Sequence, residues 1–247
     1  MLTEPTLEKL RSLRLDAMAT AWTAQQKDPQ IAGLGFDERL GLLVEAEWIH
    51  RENRRLDRRL REAKLKLGQA CLEDVDYPAP RRLDRALLRQ LATGRWIHEH
   101  HNVAITGATG TGKTYLACAL AQQACRQGAR TLYRRASRLF EEMALARADG
   151  SYSRLLAKFA RIDVLLVDDW GLTPVREAER TDLLELLEDR YALRSTVMTS
   201  QLPPDRWHDH LADPTLADAI CDRFLHNAHR IALHGPSRRK EGMSPTT

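Results

Sequence analysis

The chain has 247 residues, of which 43% are hydrophobic, and a formal net charge of +4 at pH 7. This composition is typical of a protein that folds in water, with room for one α/β domain and a smaller second domain. The basic balance favours an anionic partner, and nucleic acid is the natural candidate. The amino terminus lacks the apolar core of a signal peptide, no apolar run reaches the roughly 20 residues of a membrane span, and the Cys residues form no C-x-x-C pair. We therefore expect a cytoplasmic protein without membrane contact.

Residues 1–76 are predicted to form a small all-helical domain, for contact with DNA, a partner or further copies. Phe36, Leu40, Leu43, Val44 and Trp48 share one helical face. The sequence then becomes strongly basic over residues 50–66, which we call the basic helix end. Its basic residues after His50 are Arg51, Arg54, Arg55, Arg58, Arg59, Arg61, Lys64 and Lys66. Such a run is either a solvated helix face paired with its own acids or a surface that contacts phosphates, and the excess positive charge moves the interpretation toward phosphates.

The segment "YPAP", residues 77–80, breaks helical structure twice and predicts a linker at the start of a second domain, residues 77–247. A short amphipathic helix over residues 83–91 is expected first. Strand-like and helix-like segments then alternate, which is typical of a parallel sheet covered by helices. The predicted strands are Asn102 to Thr106, Arg130 to Tyr133, Val164 to Asp168, Thr196 to Thr199 and Arg230 to Leu233. The predicted fold class is thus α/β, with a parallel five-stranded sheet flanked by helices and preceded by the helical domain.

A complete phosphate-binding loop, "GATGTGKT", lies between the first predicted strand and a predicted helix. It fits the pattern G-x-x-x-x-G-K-[ST] of P-loop NTPases, in which backbone N–H groups and the positive end of the helix surround phosphate oxygens. Lys113 is expected to reach the β- and γ-phosphates of ATP, and Thr114 to ligate Mg²⁺. The residues expected to bind the nucleotide are Gly107, Ala108, Thr109, Gly110, Thr111, Gly112, Lys113, Thr114 and Tyr115.

A second acidic motif, "DVLLVDDW", places two carboxylates at the end of the third predicted strand. Ligands of open α/β sheets collect at the carboxyl ends of the strands, so these acids are expected beside the phosphate loop. Asp168 is predicted to hold Mg²⁺ through water as the Walker-B acid, and Asp169 is predicted to polarise the attacking water. The alternative for Asp169 is a helix cap or a surface carboxylate.

The segments "NVAITGATGTGKTYLACAL", "VLLVDDWGL" and "VMTSQLP", in this order, resemble the IstB-like helper ATPases of bacterial insertion sequences. That family belongs to the AAA+ class and is related to the helicase loader DnaC and the initiator DnaA. The resemblance covers the whole chain and is most specific in the ATPase core. It implies an ATPase that assembles on double-stranded target DNA as a homo-oligomer, remodels the DNA and stimulates a cognate transposase.

The resemblance also implies roles for two further residues. In "VMTSQLP", Ser200 matches the sensor position, where a polar side chain lies between the γ-phosphate and the Walker-B strand; a polar strand end that caps the next turn is the alternative. In "ADAICDRFLHNA", Arg223 matches the arginine that such ATPases project into a neighbour's nucleotide site. The alternative is a pair with Asp218 or Asp222 on the same helix.

Two features differ from a full AAA+ module or lack a clear motif. After the last predicted strand the remaining residues are too few for a helical lid. Arg238 or Arg239 could act as a second sensor arginine, and a basic tail without that role is the alternative interpretation. Basic residues after the second strand carry no base-reading motif and fit either phosphate contact or ordinary surface charge balanced by nearby acids. They are Arg134, Arg135, Arg138, Arg147, Arg154, Lys158 and Arg161.

Three functions are compatible with these motifs. The first is an ATP-hydrolysing helper of a transposase, and the second is a DnaC-like helicase loader, which the core motifs do not separate from the first. The third, a small-molecule P-loop kinase, is disfavoured by the paired Asp168 and Asp169 and by Arg223.

Overall fold

The computed structural model describes residues 3–77 and 81–237 of the chain. Contacts divide the chain into two compact units, Met1–Arg58 and Arg59–Thr247. This division falls inside a long helix, Phe36–Ala63, and not at the predicted linker. The assignment of residues 1–76 and 77–247 to two functional domains stays a prediction.

The first unit is helical, as its sequence pattern predicts. Its helices are α1 (Thr3–Ser12), α2 (Asp16–Gln25), α3 (Pro29–Ala32) and α4 (Phe36–Ala63), the last of which continues into the second unit. Glu47 of α4 is buried, and its carboxylate accepts hydrogen bonds from the amides of Ala17 and Met18 at 3.1 and 3.2 Å. Amides in the first turn of a helix have no acceptor within that helix, so Glu47 both caps α2 and holds it against α4.

The apolar residues predicted to share one face of α4 leave much of their surface in solvent. Phe36 is 76% exposed, Val44 51% and Trp48 59%. The helical periodicity therefore identifies a common face, and this face is not part of a core within the described residues.

The second unit is built on a parallel sheet of five strands. These are β1 (Asn102–Gly107), β2 (Thr131–Arg135), β3 (Val164–Trp170), β4 (Ser195–Ser200) and β5 (Ala228–Leu233). Their order across the sheet is β2-β3-β4-β1-β5, and all pairs are parallel. All five predicted strands are confirmed, and each bound differs from the predicted one by two residues at most. The order places β1 and β3, the two strands that precede the nucleotide motifs, on either side of β4.

Helices connect these strands and cover the sheet. They are α5 (Arg85–Ala92), α6 (Arg95–His98), α7 (Lys113–Arg126), α8 (Ala136–Ala148), α9 (Tyr152–Ala160), α10 (Glu177–Arg190), α11 (Trp207–Leu211) and α12 (Pro214–Leu225). The predicted helix over residues 83–91 corresponds to α5. It begins at Arg85 because the Asp84 carboxylate accepts hydrogen bonds from the amides of Ala86 and Leu87.

Alternate residues of the strands face two separate cores. Val103 and Ile105 of β1 pack with α7 on one side of the sheet. Ala104, between them, faces the other side, where Met198 of β4 packs with helices that include α8, α10 and α12. Because both faces of the sheet are covered, the central strands are apolar throughout, and polar side chains concentrate at the strand ends.

Among the helices of residues 3–77 and 81–237, none has both the length and the apolar composition that a membrane span requires.

Candidate nucleotide site

The phosphate loop lies where the sequence predicts it, between the end of β1 and the start of α7. Ala108 and Thr109 are exposed at the tip of the loop, whereas Thr111 is buried and its hydroxyl donates to the carbonyl of Ala108 at 2.9 Å. Gly112 caps α7 with a φ of 92°, a left-handed conformation that disfavours residues with a side chain. The loop therefore presents backbone N–H groups together with the amino-terminal end of a helix of 14 residues.

The first glycine of the loop is required for a steric reason as well. Gly107 has a φ of 148°, and a Cβ atom at this position would lie 2.4 Å from the carbonyl oxygen of Leu233 on β5. The loop thus passes too close to the neighbouring strand for any side chain. This close approach fits a cradle whose backbone, and not its side chains, faces an anion.

Lys113 is folded over the loop that it follows. Its ammonium group donates to the carbonyl oxygens of Gly107 at 2.7 Å and Ala108 at 2.9 Å, and the residue is 7% exposed. These carbonyls hold the cation directly above the cradle. A phosphate in the cradle would compete with them for the same ammonium.

Asp168 lies at the end of β3 and is fully buried beside the phosphate loop. The hydroxyl of Thr114, the second residue of α7, donates to it with distances of 2.9 Å to Oδ1 and 3.1 Å to Oδ2. The structure thus brings together the two residues that the sequence assigns to Mg²⁺. Their hard oxygen atoms are the ligand type that Mg²⁺ prefers, so the residues present fit this ion.

Two further hydroxyl groups bind the Asp168 carboxylate. Thr199 of β4 donates to Oδ1 at 2.6 Å, and Tyr133 of β2 donates to Oδ2 at 2.8 Å. Burial and the adjacent Asp168 carboxylate raise the pKa of Tyr133, which keeps the phenol protonated and able to donate. Neither contact was predicted, because each depends on which strands neighbour β3 in the sheet.

Asp169 adopts a strained backbone conformation, with a φ of 60°. Its amide donates to the hydroxyl of Thr199 at 3.0 Å, and its carboxylate pairs with Arg135 at 3.0 Å. Arg135 is the last residue of β2 and lies opposite Asp168 in the sheet, which explains this unpredicted pair. The Asp169 side chain remains 21% exposed, unlike that of Asp168. Of the two adjacent acids, Asp169 is therefore the one whose carboxylate water can reach.

Comparisons with known proteins agree with this geometry. The profile of the IstB-like ATP binding protein family matches residues 8–245. The chain belongs to the IstB-like ATP-binding family. It is 51% identical to y4pL of Sinorhizobium fredii, over 97% of this chain and 98% of that protein, and 50% identical to the IS1162 protein of Pseudomonas fluorescens, over 82% and 88%. The names of both describe insertion sequence ATP-binding proteins.

Solved structures with a similar fold include DnaI and the replication initiator DnaA. The crystal structure of DnaI aligns with a TM-score of 0.57 and 22% identity, over 67% of this chain and 91% of that chain. The initiator DnaA bound to AMPPCP and single-stranded DNA aligns with a TM-score of 0.56 and 20% identity, over 70% and 52%. At this identity the likeness shows the fold of the P-loop core and nothing beyond it.

The structure places the predicted sensor Ser200 at the end of β4, beside the strand that carries Asp168. Ser200 is buried, but its hydroxyl donates to the carbonyl of Trp170 at 2.8 Å and accepts from the amide of Leu202 at 3.0 Å. The contact with the Walker-B carboxylate is made instead by Thr199. Adjacent residues of a strand point to opposite faces, so only one of the pair can face Asp168. Contact with the Asp168 carboxylate thus belongs to Thr199, whereas Ser200 contacts the backbone of β3 at Trp170 and also fits the alternative of a strand end that stabilises the next turn.

Arg223 lies on α12 and is paired within its own chain. One guanidinium nitrogen lies 2.9 Å from the carboxylate of Asp222, and another lies 3.8 Å from that of Glu188. The guanidinium also lies 5.1 Å from the ring centre of Tyr191. The pair with Asp222 is the alternative that the sequence leaves open. With 34% of its side chain exposed, Arg223 keeps a surface that a second copy of the chain can reach.

The remaining predictions concern Tyr115, two arginines near the carboxyl terminus and the basic residues around β2. Tyr115, the third residue of α7, packs against the core, and its hydroxyl donates to the carbonyl of Cys71 at 3.4 Å. Arg238 and Arg239 lie outside the described residues. Several of the arginines after β2 pair with acids of their own unit: Arg134 with Glu142, Arg138 with Glu141, and Arg147 with Asp182 and Glu185.

Proposed function

We propose that this protein is an ATPase that assembles on double-stranded DNA and assists the transposase of an insertion sequence. The observation that carries the proposal is a complete phosphate loop beside two strand-end acids, in a chain that is 51% identical to an insertion sequence ATP-binding protein. The family assignment favours this function over helicase loading, since the similarity to replication proteins is one of fold.

Nucleotide binding is proposed to use the loop from Gly107 to Tyr115. Backbone N–H groups and the start of α7 would surround the phosphates, while Lys113 would exchange its two carbonyl partners for the β- and γ-phosphates. In this exchange the lysine ammonium would turn from the loop carbonyls toward the phosphates.

Hydrolysis is proposed to divide the work between the two adjacent acids. Asp168 and Thr114 would hold Mg²⁺, which supplies charge stabilisation at the phosphates when bound. Asp169 would orient and polarise the attacking water, because its carboxylate is reached by solvent whereas that of Asp168 is buried and fully hydrogen-bonded. Thr199 links the two acids, since its hydroxyl donates to Asp168 and accepts from the Asp169 amide.

DNA binding is proposed to rest on phosphate contacts without base recognition. In the second unit, a cleft of about 290 Å³ beside the edge strand β2 is lined by five cationic side chains and the single acid Glu62. The cations are Arg59, Lys64, Arg130, Arg134 and Lys158. Arg130 and Arg134 also pair with Asp163 and Glu142, so the cleft retains partial local charge balance. Its residual positive charge fits a DNA backbone.

Assembly is proposed to complete the site. Arg223 would leave Asp222 and Glu188 to reach the phosphates bound by the next subunit, where an arginine stabilises charge on the transferring group. The same assembly, formed on DNA with ATP bound, would recruit the transposase. Residues 1–76 are proposed as the part that contacts neighbouring copies, DNA or that partner.

The test compares phosphate release by the wild-type protein with that of Lys113→Ala, with and without duplex DNA of random sequence. We expect ATP turnover that rises when duplex is added, and a variant that binds fluorescent ATP weakly. Transposase-mediated strand transfer should increase when the wild-type protein and ATP are both present. ATP turnover by Lys113→Ala equal to that of the wild type would contradict the proposal, and so would a transposase that ignores the protein.

A further inference from the structure

The buried carboxylate of Asp168 has a cationic neighbour that lies outside the nucleotide motifs. The ammonium nitrogen of Lys66 lies 3.7 Å from Oδ2 of Asp168. Lys66 belongs to the segment that follows α4, three residues after the helix ends at Ala63. Nothing in the P-loop pattern requires a lysine at this place.

A fully buried carboxylate needs compensation for its lost hydration. Thr114, Thr199 and Tyr133 supply three hydrogen bonds from neutral hydroxyl groups, which support the charge without balancing it. The ammonium of Lys66 supplies a positive charge at contact distance. In the chain without a nucleotide, Lys66 therefore acts as a counter-ion of Asp168.

The same carboxylate oxygens face the place where a cation shared with Thr114 would lie. A divalent ion there and an ammonium near Oδ2 would both be within a few ångströms of one carboxylate, and they would repel each other. The two cations consequently compete for Asp168. The competition is local, because the hydroxyl groups that fix the carboxylate can keep their positions in either state.

The surroundings of Lys66 allow its side chain to leave. Its side chain is 46% exposed, whereas Ala70 and Val75, farther along the same segment, are buried in the core with 1% and 5% exposure. Leu65, the preceding residue, also packs against that core. The backbone is thus anchored, and the flexible four-carbon stem can turn its ammonium to solvent without unfolding the segment.

We propose that Lys66 is a positioning residue that competes with the divalent cation for Asp168 and sets the cation affinity of the nucleotide site. This inference rests on the proposed function, since it presumes that Mg²⁺ accompanies the nucleotide at this site. Without the metal, the Lys66 ammonium lies beside the Asp168 carboxylate as its counter-ion. When the metal binds, Lys66 turns to solvent.

The first experiment measures Mn²⁺ binding to the full-length protein saturated with ADP, by the electron paramagnetic resonance signal of free Mn²⁺. Lys66→Met removes the charge and keeps the apolar stem, and Lys66→Arg keeps the charge. Removal of the competing cation should tighten Mn²⁺ binding about tenfold in Lys66→Met, since the half-exposed ammonium of the wild type is only partly screened. Lys66→Arg should stay within about twofold of the wild type. Equal or weaker Mn²⁺ binding by Lys66→Met would overturn the proposal.

The second experiment follows the lysine itself by labelling with an amine-reactive reagent and mass spectrometry. Lys66 should react several-fold faster when Mg²⁺ and ADP are present than with ADP and EDTA. Lys64, two residues earlier, provides the internal reference and should not change. A labelling rate of Lys66 that is unaffected or lowered by Mg²⁺ would show that its ammonium is not displaced, and the proposal would fail.

Fluorescent ADP binding in EDTA separates this proposal from the proposed function. If the wild-type protein fails to bind ADP there and with Mg²⁺, the nucleotide assignment itself is wrong. If the wild type binds and Lys66→Met binds ADP much more weakly in EDTA, then Lys66 contacts phosphate and the competition is refuted. Unchanged ADP affinity in EDTA together with tighter Mn²⁺ binding is the expected result.

Discussion

Replacement of Asp169 by Asn tests whether this residue activates the attacking water. The substitution keeps the size of the side chain and removes its charge. It also suits the backbone, because Asn tolerates the positive φ of 60° found here at least as well as Asp does. The pair with Arg135 is removed, but that arginine is 49% exposed, and exposed pairs contribute about 0–1 kcal/mol. The free energy of unfolding should therefore change by no more than about 1 kcal/mol.

Turnover should respond far more strongly. Loss of a positioned general base typically lowers a rate about 10²- to 10⁴-fold, whereas the loop and Lys113 that are proposed to bind ATP are untouched. Phosphate release would be measured at saturating ATP on duplex DNA, with fluorescent ATP binding and thermal unfolding measured alongside. Arg135→Gln is the matched control, since it breaks the same ion pair and retains the acid; it should keep at least about a tenth of the wild-type rate. A wild-type rate in Asp169→Asn, or an equal loss in Arg135→Gln, would refute the assignment of the base.

Three further predictions address DNA binding, assembly and stability. Four arginines of the basic helix end are changed together to Gln, namely Arg54, Arg55, Arg58 and Arg59. A filter-binding titration should then show weaker duplex binding and a smaller salt dependence. The slope of log affinity against log salt concentration should decrease by roughly 0.9 for each DNA phosphate that the variant no longer neutralises. An unchanged slope would exclude these arginines from phosphate binding. Arg223→Ala mixed with Lys113→Ala should regain part of the ATPase activity that each lacks alone, and proven co-assembly without recovery would place Arg223 outside a shared site. Arg190→Met should lower the free energy of unfolding by about 3–5 kcal/mol in urea titrations, because the buried guanidinium donates to the carbonyls of three residues. The control Arg194→Met should lower it by about 1 kcal/mol or less.

The sequence predicts those parts of the site that are local in the chain. The spacing of Gly107, Gly112, Lys113 and Thr114 is a property of eight consecutive residues, and strand and helix patterns on either side identify its setting. The order of β2, β3 and β4 across the sheet is not local. For that reason the contacts of Asp168 with residues of β2 and β4 are visible only in the fold. The sequence also offers two adjacent polar residues at the end of β4, and the family resemblance favours Ser200 as the sensor.

The side chains of the two polar residues at the end of β4 point in different directions. "TS" at the end of β4 offers two similar hydroxyl groups, and the resemblance to a family gives the position to within one residue. The register settles the contact, because Thr199 lies opposite Ile105 of β1 and directs its hydroxyl to Asp168, while Ser200 binds backbone groups near Trp170. Residues two apart in a strand share a face, so Thr199 lies on the face of Val197 and Ser200 on that of Met198, and both of these faces are buried.

Three cations that are proposed to act at the site have partners within their own chain, and this affects how binding should be measured. Lys113 holds two loop carbonyls, Lys66 faces Asp168, and Arg223 faces Asp222. Each proposed ligand contact is therefore an exchange of partners, whose net free energy is smaller than that of the new contact alone. The rise in melting temperature with nucleotide thus measures the free-energy difference between the cations paired inside the chain and the same cations paired with the ligand. Removing an internal partner, as in Asp222→Asn for Arg223, should promote assembly, whereas removing the cation should abolish it.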